Sequence, residues 1–267
     1  MNNIAVIIPI NEFNKDTDAK YLERAVDSVK ENIKTFDGDI KLYIIGPEKV
    51  RKDIMDSLHD INYSFIINND KTDYCSQINV AVDNIGCEYF SILEYDDYYT
   101  SKWFKSAKEY FYTNEDASVF LPINVVTEVN VGSQFCNETV WASGFSEETG
   151  YIDFNCLQDF SGFNLTGGIF NTVDFKEIGG LKPSIKVAFN YEYLLRLTHR
   201  NLKAYVVPKE GYCHIINRKN SLTETYNKEM TVEEVSSWFE LAKLEYPYKE
   251  DRQTQPSDVK KDEEALK

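Results

Sequence analysis

Residues 89–97 read Tyr89-Phe90-Ser91-Ile92-Leu93-Glu94-Tyr95-Asp96-Asp97. An apolar strand here runs directly into three carboxylates. Neighbouring carboxylates repel one another, and removing them from water is costly unless a cation lies between them. Because ligands of α/β proteins bind where the strands end, the segment predicts a site for a hard divalent cation at the edge of a sheet. The alternative is a strand followed by an acidic turn that binds no metal.

The strand that contains this segment belongs to an alternating series of apolar and amphipathic stretches. The predicted strands are Ile4–Pro9, Lys41–Ile45, Tyr63–Ile67 and Glu88–Leu93, and the predicted helices are Tyr21–Phe36, Arg51–His59, Thr72–Ile85 and Trp103–Tyr112. The strands are continuous apolar runs, as in buried parallel sheets, whereas the helices repeat apolar residues every three or four positions. This order predicts a parallel sheet with helices on both faces.

The second half of the chain alternates less regularly. We expect strands at Ser118–Pro122, Val125–Val129, Gly167–Phe170 and Ala204–Val207, a helical turn at Phe175–Gly180, and helices at Ala188–His199 and Val232–Tyr246. The stretch from Gly132 to Gly162 is polar and aromatic without clear periodicity, and its Trp141 is a candidate for stacking on a ligand. From Glu250 the chain is charged and poor in apolar residues, which predicts a disordered tail.

Composition limits the classes of partner. The chain has 267 residues, enough for one large domain, and a net charge of −15. Such an acidic chain is not expected to bind nucleic acid or an anionic membrane, although a bound divalent ion would still permit a nucleotide. No segment is long enough to span a bilayer, and the apolar run Ile4–Ile10 is too short for a signal peptide. Five scattered cysteines without metal spacing predict reduced thiols in a cytoplasmic protein.

Several short motifs, in order, resemble those of family-2 glycosyltransferases with the GT-A fold. The matching segments are Val6-Ile7-Ile8-Pro9 with Asn11, Ala25–Val29, Asn79 within Gln77–Ala81, Leu93-Glu94-Tyr95-Asp96-Asp97, Phe175–Leu181, Tyr191–Arg196, and His214 followed by Ser221. The acidic segment is similar to the family's L-D-x-D-D motif, with Glu94 in place of the first Asp. The resemblance spans residues 4–222 and implies a Rossmann-like, mostly parallel central sheet in a GT-A domain, followed by a C-terminal helix.

The resemblance implies transfer of a sugar from a UDP- or GDP-sugar to a glycan or another hydroxyl acceptor, by an inverting, hexosyltransferase-type reaction. It implies Mn²⁺ or Mg²⁺ as cofactor, with Asp96, Glu94 and His214 as metal ligands and Asp97 beside the metal or the acceptor. Nucleotide contacts are expected at Pro9, Asn11, Asp73, Asn79 and Glu94. Asp73 could equally be a helix cap. The nucleotide-sugar half would span residues 1–125, the acceptor half 126–225, the C-terminal helix 226–249 and the tail 250–267.

The chain departs from the family at the general base. The family's E-D pair, whose Asp deprotonates the acceptor, corresponds here to Phe189-Asn190, and an amide is not a useful proton acceptor. Glu192 is the alternative base if it lies in the first turn of its helix and faces the cleft; otherwise it is a surface residue. Asp153 and Asp159 are further candidates. The alternative function is therefore a catalytically inactive GT-A domain that binds a nucleotide-sugar or a glycan. A sugar nucleotidyltransferase is disfavoured, because Pro9-Ile10-Asn11-Glu12 is not a glycine-rich basic loop.

Overall fold

The computed structural model describes residues 1–128, 134–137, 150–185, 187–216 and 230–246. Strands and helices alternate in the first half, as the hydrophobic pattern predicts. They are β1 (Asn3–Pro9), α1 (Lys15–Thr35), β2 (Asp39–Gly46), α2 (Glu48–Ser57), β3 (Tyr63–Ile67), α3 (Tyr74–Asn84), β4 (Tyr89–Ile92), β5 (Tyr98–Tyr99) and α4 (Trp103–Phe111).

The second half contributes β6 (Ala117–Glu128), β7 (Gln134–Asn137), β8 (Tyr151–Ile152), α5 (Phe154–Asp159), β9 (Ile169–Asn171), α6 (Thr172–Glu177), α7 (Phe189–His199), β10 (Lys203–Ile216) and α8 (Val232–Glu245). Trp141, Ser221 and the tail predicted from Glu250 lie outside the described residues. No helix in the described part of the chain is both long and apolar enough to cross a bilayer.

All ten described strands join one sheet, with the main order β3-β2-β1-β4-β9-β6-β10-β5. The first four strands in this order are parallel, and β6 is parallel to β10. Strand β9 runs antiparallel to both β4 and β6 and connects the two halves. The predicted α/β class with a GT-A-type sheet is confirmed. Because β1 to β4 are parallel, their carboxyl ends meet at one edge, which is where the acidic segment begins.

The core lies in two layers, one on each face of the sheet. Side chains of β1 alternate between them: Ile4, Val6 and Ile8 pack with α1, α2 and α4, whereas Ala5 and Ile7 pack with α3 and the later helices. This period of two is the geometry of a strand that is buried on both faces. Cys75, Cys87, Cys156 and Cys213 are buried and form no disulfide.

Two strands are longer than the sequence predicts. Ser118–Pro122 and Val125–Val129 were expected as separate strands but form the single strand β6, and β10 extends to Ile216 instead of ending at Val207. Pro122 and Pro208 lie where the register between the two strands shifts, between Val206 and Glu210. Proline lacks an N–H and is tolerated at such an irregularity, so it interrupts the pattern without ending the strand.

Helix α1 begins six positions before the predicted start at Tyr21. Asn14 is its N-cap, and its side-chain oxygen accepts a hydrogen bond from the backbone N–H of Asp16 at 3.0 Å. The first turn is polar and exposed, so the apolar periodicity does not reveal it, whereas the cap stabilises it.

Candidate active site

The acidic segment turns sharply after β4. The backbone N–H of Leu93 still bonds to the carbonyl of Ile7 at 2.9 Å, and the N–H of Asp97 then bonds back to the carbonyl of Glu94 at 3.1 Å. The chain continues into β5, which pairs antiparallel with β10 and places Tyr98 opposite Cys213. The turn therefore brings Asp97 next to the residues that follow Cys213 in β10.

Three side chains meet at this turn. Glu94, Asp97 and His214 each offer one potential ligand atom, and these atoms all lie within 4.8 Å of one another. Carboxylate oxygens and an imidazole nitrogen at such a spacing are a suitable donor set for a divalent cation, and the nitrogen favours Mn²⁺ over Mg²⁺. We call these three residues the acidic cluster.

Asp97 holds the cluster together. It is completely buried, and its Oδ2 lies 2.8 Å from both the Tyr212 hydroxyl, which donates to it, and His214 Nδ1. Its Oδ1 accepts the backbone N–H of Ile215 at 2.8 Å. With Nδ1 directed at Asp97, the other ring nitrogen of His214, Nε2, is the one available to a metal, an arrangement common in metalloproteins.

The carboxylates at this turn outnumber the nearby cations, and their negative charge contributes to raising the pKa values of both Glu94 and His214. Burial and the charges of Asp97 and Asp96 raise the pKa of Glu94 to about 8, although His214 and a hydrogen bond with Tyr74 oppose the shift. Burial lowers the pKa of His214, but the charge and hydrogen bond of Asp97, together with the charges of Glu94 and Asp96, outweigh it and raise this pKa to about 9. A divalent cation would replace these protons and neutralise the carboxylates.

Asp96, the expected main metal ligand, is buried but is not one of the three clustered residues. Its backbone carbonyl accepts a hydrogen bond from Arg24 Nη2 at 2.5 Å. Asp97 contacts His214 directly, and its expected position beside the metal or the acceptor stays a prediction. The assignment of Asp96 as a ligand stays a prediction.

The expected nucleotide contacts divide into two groups. Pro9 is buried at the end of β1, Asn11 is exposed after it, and Glu94 belongs to the acidic cluster, so these three follow the carboxyl edge of the parallel strands. Asp73 is the N-cap of α3, with Oδ1 accepting the Ser76 N–H at 2.9 Å, which is the alternative role that the sequence left open.

Asn79 has a structural contact that the sequence did not predict. Its side-chain amide donates to the carbonyl of Leu181 at 2.7 Å and accepts the N–H of Leu181 at 2.8 Å. Both polar groups of the side chain are thereby used to fix the Gly179-Gly180-Leu181 turn. Its expected contact with a nucleotide stays a prediction.

Glu192 lies in the first turn of α7, but it is not at the surface. It is completely buried, and its two oxygens pair with Arg196 Nε at 2.9 Å and Nη2 at 3.0 Å. The Tyr246 hydroxyl donates to Oε1 at 2.8 Å, and Lys182 Nζ lies 3.4 Å from the same atom. Glu192 is thus not a surface residue, and Arg196, one turn along α7, compensates its charge. Its role as the general base stays a prediction.

Asn190 lies in the first turn of α7, and its neighbour Phe189 is linked to the acidic cluster through an aromatic contact. The neighbouring Phe189 ring packs against Tyr74, with ring centroids 5.4 Å apart, and Tyr74 hydrogen-bonds Glu94. Asn190 Nδ2 lies 3.4 Å from Asn164 Oδ1, whereas its own Oδ1 is buried without a hydrogen-bond partner among the described residues. This oxygen can accept a hydrogen bond from a ligand but cannot serve as a general base.

Tyr212 and Tyr74 contribute to the site although their sequence pattern was not read as functional. The Tyr212 hydroxyl accepts the N–H of Glu94 at 3.1 Å and donates to Asp97, so it joins two residues of the acidic cluster. Tyr212 precedes His214 by two residues in a strand, and this spacing, which puts both on one face, could have identified it. Gly167 has φ +78°, and a Cβ there would lie 2.7 Å from the Tyr212 ring, so only glycine allows the ring this position.

Solved structures with a similar fold are known. The fold is similar to that of a glycosyltransferase. Staphylococcus aureus TarS residues 1–349, solved with UDP-GlcNAc, matches with a TM-score of 0.62 at 13% identity, covering 94% of this chain and 68% of that one. The same TarS fragment with UDP gives a TM-score of 0.59 at 15% identity, again covering 94% and 68%.

A longer TarS structure gives a TM-score of 0.56 at 16% identity, and this chain covers 41% of its length. No protein-family model matches the sequence, and no curated protein matches it. The likeness to TarS is therefore one of fold, and the chemistry of this chain is inferred from its own residues.

Proposed function

We propose that this protein is a glycosyltransferase that moves a sugar from a nucleoside-diphosphate donor to an acceptor hydroxyl. The observation that carries the proposal is the acidic cluster of Glu94, Asp97 and His214, at the carboxyl edge of parallel strands. Support comes from the fold of TarS, which was solved with UDP and with UDP-GlcNAc. A UDP-sugar is accordingly the first donor to test, and a GDP-sugar is the alternative. A cytoplasmic location and a family-2, hexosyltransferase-type activity are part of the same proposal.

The donor set fits a divalent cation. Glu94 and His214 Nε2, with Asp96, would hold Mn²⁺ or Mg²⁺, and Asp97 would orient His214 through Nδ1. The cation would supply positive charge that stabilises the departing nucleoside diphosphate. The protein's own contribution is to hold these oxygens and the imidazole in place, through the Tyr212 hydroxyl and the backbone N–H of Ile215.

Direct displacement would invert the anomeric carbon and requires a base for the acceptor proton. The Glu192 carboxylate accepts hydrogen bonds from Arg196 and Tyr246, and the Asn190 amide cannot take a proton. Asn190 would instead accept a hydrogen bond from the acceptor hydroxyl through its unpartnered Oδ1 and so orient it. The acceptor is a glycan or another hydroxyl compound, and we propose no nucleic-acid partner.

An acidic cluster without a nearby general base also favours a second candidate function, a GT-A domain that binds a nucleotide-sugar or a glycan without turnover. A domain of this kind would keep the acidic cluster and lack a base, and the engaged Glu192 and the amide of Asn190 match that description. Binding with turnover distinguishes the enzyme from this alternative.

The first experiment is a thermal-shift and calorimetric screen of UDP, GDP and their sugars, with Mn²⁺, Mg²⁺ or a chelator. A ligand that binds only the folded protein raises its apparent stability, so a Mn²⁺-dependent shift with UDP is expected. Release of UDP from UDP-sugars in the presence of sugar acceptors then measures turnover. Asp96→Ala should lose cation-dependent binding, whereas Asp56→Ala, at an exposed position of α2, is the control. A protein that binds no nucleotide with any cation would contradict the proposal.

A further inference from the structure

Helix α1 carries three polar side chains one turn apart, Arg24, Ser28 and Asn32, along the side that faces the acidic turn, β5 and the start of α4. Asn32 is completely buried, Ser28 nearly so and Arg24 partly so. Polar groups on a buried helix face are costly unless each has a hydrogen-bond partner. We call these three residues the α1 polar row, and their partners indicate what the row does.

Ser28 and Asn32 bind the backbone that follows the acidic segment. Ser28 Oγ accepts the N–H of Tyr99 at 3.1 Å, and Asn32 Nδ2 donates to the carbonyl of Thr100 at 2.8 Å. Asn32 Oδ1 also accepts the N–H of Phe104 at 3.3 Å. The chain after the acidic turn is therefore attached to α1 by side chains, since β5 is only two residues long and offers few ladder bonds.

Arg24 completes the row within the acidic segment itself. Its Nη2 donates to the Asp96 carbonyl at 2.5 Å, and its guanidinium lies over the rings of Tyr98 and Tyr21, with Cζ at 4.9 and 5.6 Å from the centroids. Its Nε is buried and has no hydrogen-bond partner among the described residues, and no described carboxylate forms an ion pair with it. The strongest polar contact of this cation is thus a backbone carbonyl in the segment that carries the proposed ligands.

We propose that Arg24 is a positioning residue, which fixes the Asp96 peptide and thereby sets the relative positions of Glu94 and Asp97. The peptide whose carbonyl it holds leads directly to Asp97, whose N–H closes the turn on Glu94 at 3.1 Å. Without this bond the peptide can rotate, and the carboxylates on either side of it move with it. The inference rests on the proposed function for its effect on cation and nucleotide binding, but its effect on the turn does not.

The test compares R24Q with R24K and with a matched control, R51Q. Arg51, on α2, also lies over a ring, that of Phe65 at 5.8 Å, and also has a buried Nε without a partner in the described part of the chain. Its ion pair is with Glu48 at 3.5 Å, and no hydrogen bond or ion pair among the described residues joins Arg51 to the acidic turn. Removing Arg51 therefore removes a similar side chain from a place where no effect on the turn is expected.

Two measurements are made on each full-length variant. Hydrogen exchange of residues 94–100 without any ligand reports the order of the turn, and calorimetry reports the affinity for Mn²⁺ and for UDP with Mn²⁺. For R24Q we expect faster exchange confined to this segment and about tenfold weaker binding, as for the loss of one charge-assisted hydrogen bond. R24K keeps the charge but not the planar fork, so an intermediate effect is expected. R51Q should match the wild type in both measurements.

The outcomes separate this inference from the proposed function. If the wild type binds no nucleotide, the proposed function fails, and exchange in R24Q still decides whether Arg24 positions the turn. Wild-type exchange at residues 94–100 in R24Q, with wild-type Mn²⁺ affinity, would overturn the positioning role. A role in general stability alone would lower the unfolding midpoint without weakening binding by the folded protein. Should R24Q not fold, R24K decides the question by the same two measurements.

Discussion

The Asp97 carboxylate lies 2.8 Å from Nδ1 of His214, although 117 residues separate them in the sequence. The contact exists because β5 follows the acidic turn and pairs with β10, whose last residues include His214. It gives the imidazole a fixed orientation and leaves Nε2 as the nitrogen available to a ligand.

Asp97→Asn should weaken Mn²⁺ binding by about 10- to 100-fold, the usual cost of removing a group that orients a ligating histidine. The amide cannot accept hydrogen bonds from Tyr212, His214 and Ile215 in the way that the two carboxylate oxygens do. Calorimetric titration with Mn²⁺ measures the effect. Asp56→Asn, which removes a carboxylate in an exposed pair with Lys15, should leave the affinity unchanged. Equal affinities for D97N and the wild type would show that Asp97 does not organise a metal site.

The stability of the metal-free protein should fall as the pH rises. The folded-state pKa values of Glu94, about 8, and His214, about 9, both lie above their ordinary values of 4.5 and 6.5. The folded protein therefore binds more protons than the unfolded chain, and the stability each group contributes is complete below its ordinary value and lost as the pH passes its folded pKa. Urea unfolding with a chelator, between pH 6.5 and 9, measures this decline.

His214→Gln should make the free energy of unfolding depend less on pH near the upper end of that range, because it removes the group whose folded pKa is about 9. Metal binding should also release protons near pH 7, because both groups must lose theirs to become ligands. Calorimetry in buffers of different ionisation enthalpy counts the protons released, and H214Q should release fewer. A Mn²⁺ affinity that does not change with pH over this range would contradict the assignment of either group as a ligand.

Glu192→Gln should destabilise the fold by about 3–5 kcal/mol, since it leaves the buried guanidinium of Arg196 without its counter-charge. Arg196 also donates to the carbonyls of Ile178 at 2.5 Å and Gly180 at 2.6 Å, so the Gly179-Gly180 turn should loosen. Denaturant unfolding measures the loss. The matched control is Glu31→Gln, which breaks a half-exposed helix pair with Lys34 and should cost at most about 0.5 kcal/mol. Folded E192Q with no transferase activity and normal stability would instead support Glu192 as the base.

Asn190→Asp should raise the transfer rate if the acceptor hydroxyl lies at Asn190, since it places a proton acceptor there. An increase in kcat of about 100-fold is expected, at the lower end of what general bases contribute. The rate should also gain a dependence on pH that the wild type lacks, which a pH profile of kcat would show. Asn190→Ala, by contrast, should raise KM for the acceptor and leave donor binding unchanged. If N190D affects donor binding alone, Asn190 lies on the nucleotide side of the site.

Much of the fold could be predicted from local pattern. Apolar runs and helical periodicity are properties of consecutive residues, so the first four strands and four helices were identified, with shifted ends. The predictions failed where a feature other than hydrophobicity decides the boundary. Pro122 and Pro208 lie at a register shift between two long strands, and the cap of Asn14 extends α1 through a polar turn.

Neighbouring residues were enough to predict the first four strands and helices and the three carboxylates at the end of β4, because apolar runs and helical periodicity are local. They do not specify which side chains meet at that strand end, which depends on the tertiary structure. It paired Asp97 with His214 and Tyr212, placed Arg24 behind Asp96 and buried Glu192 against Arg196. Such contacts depend on strand pairing and helix packing across long stretches of chain, and a pattern of adjacent residues contains no information about that pairing.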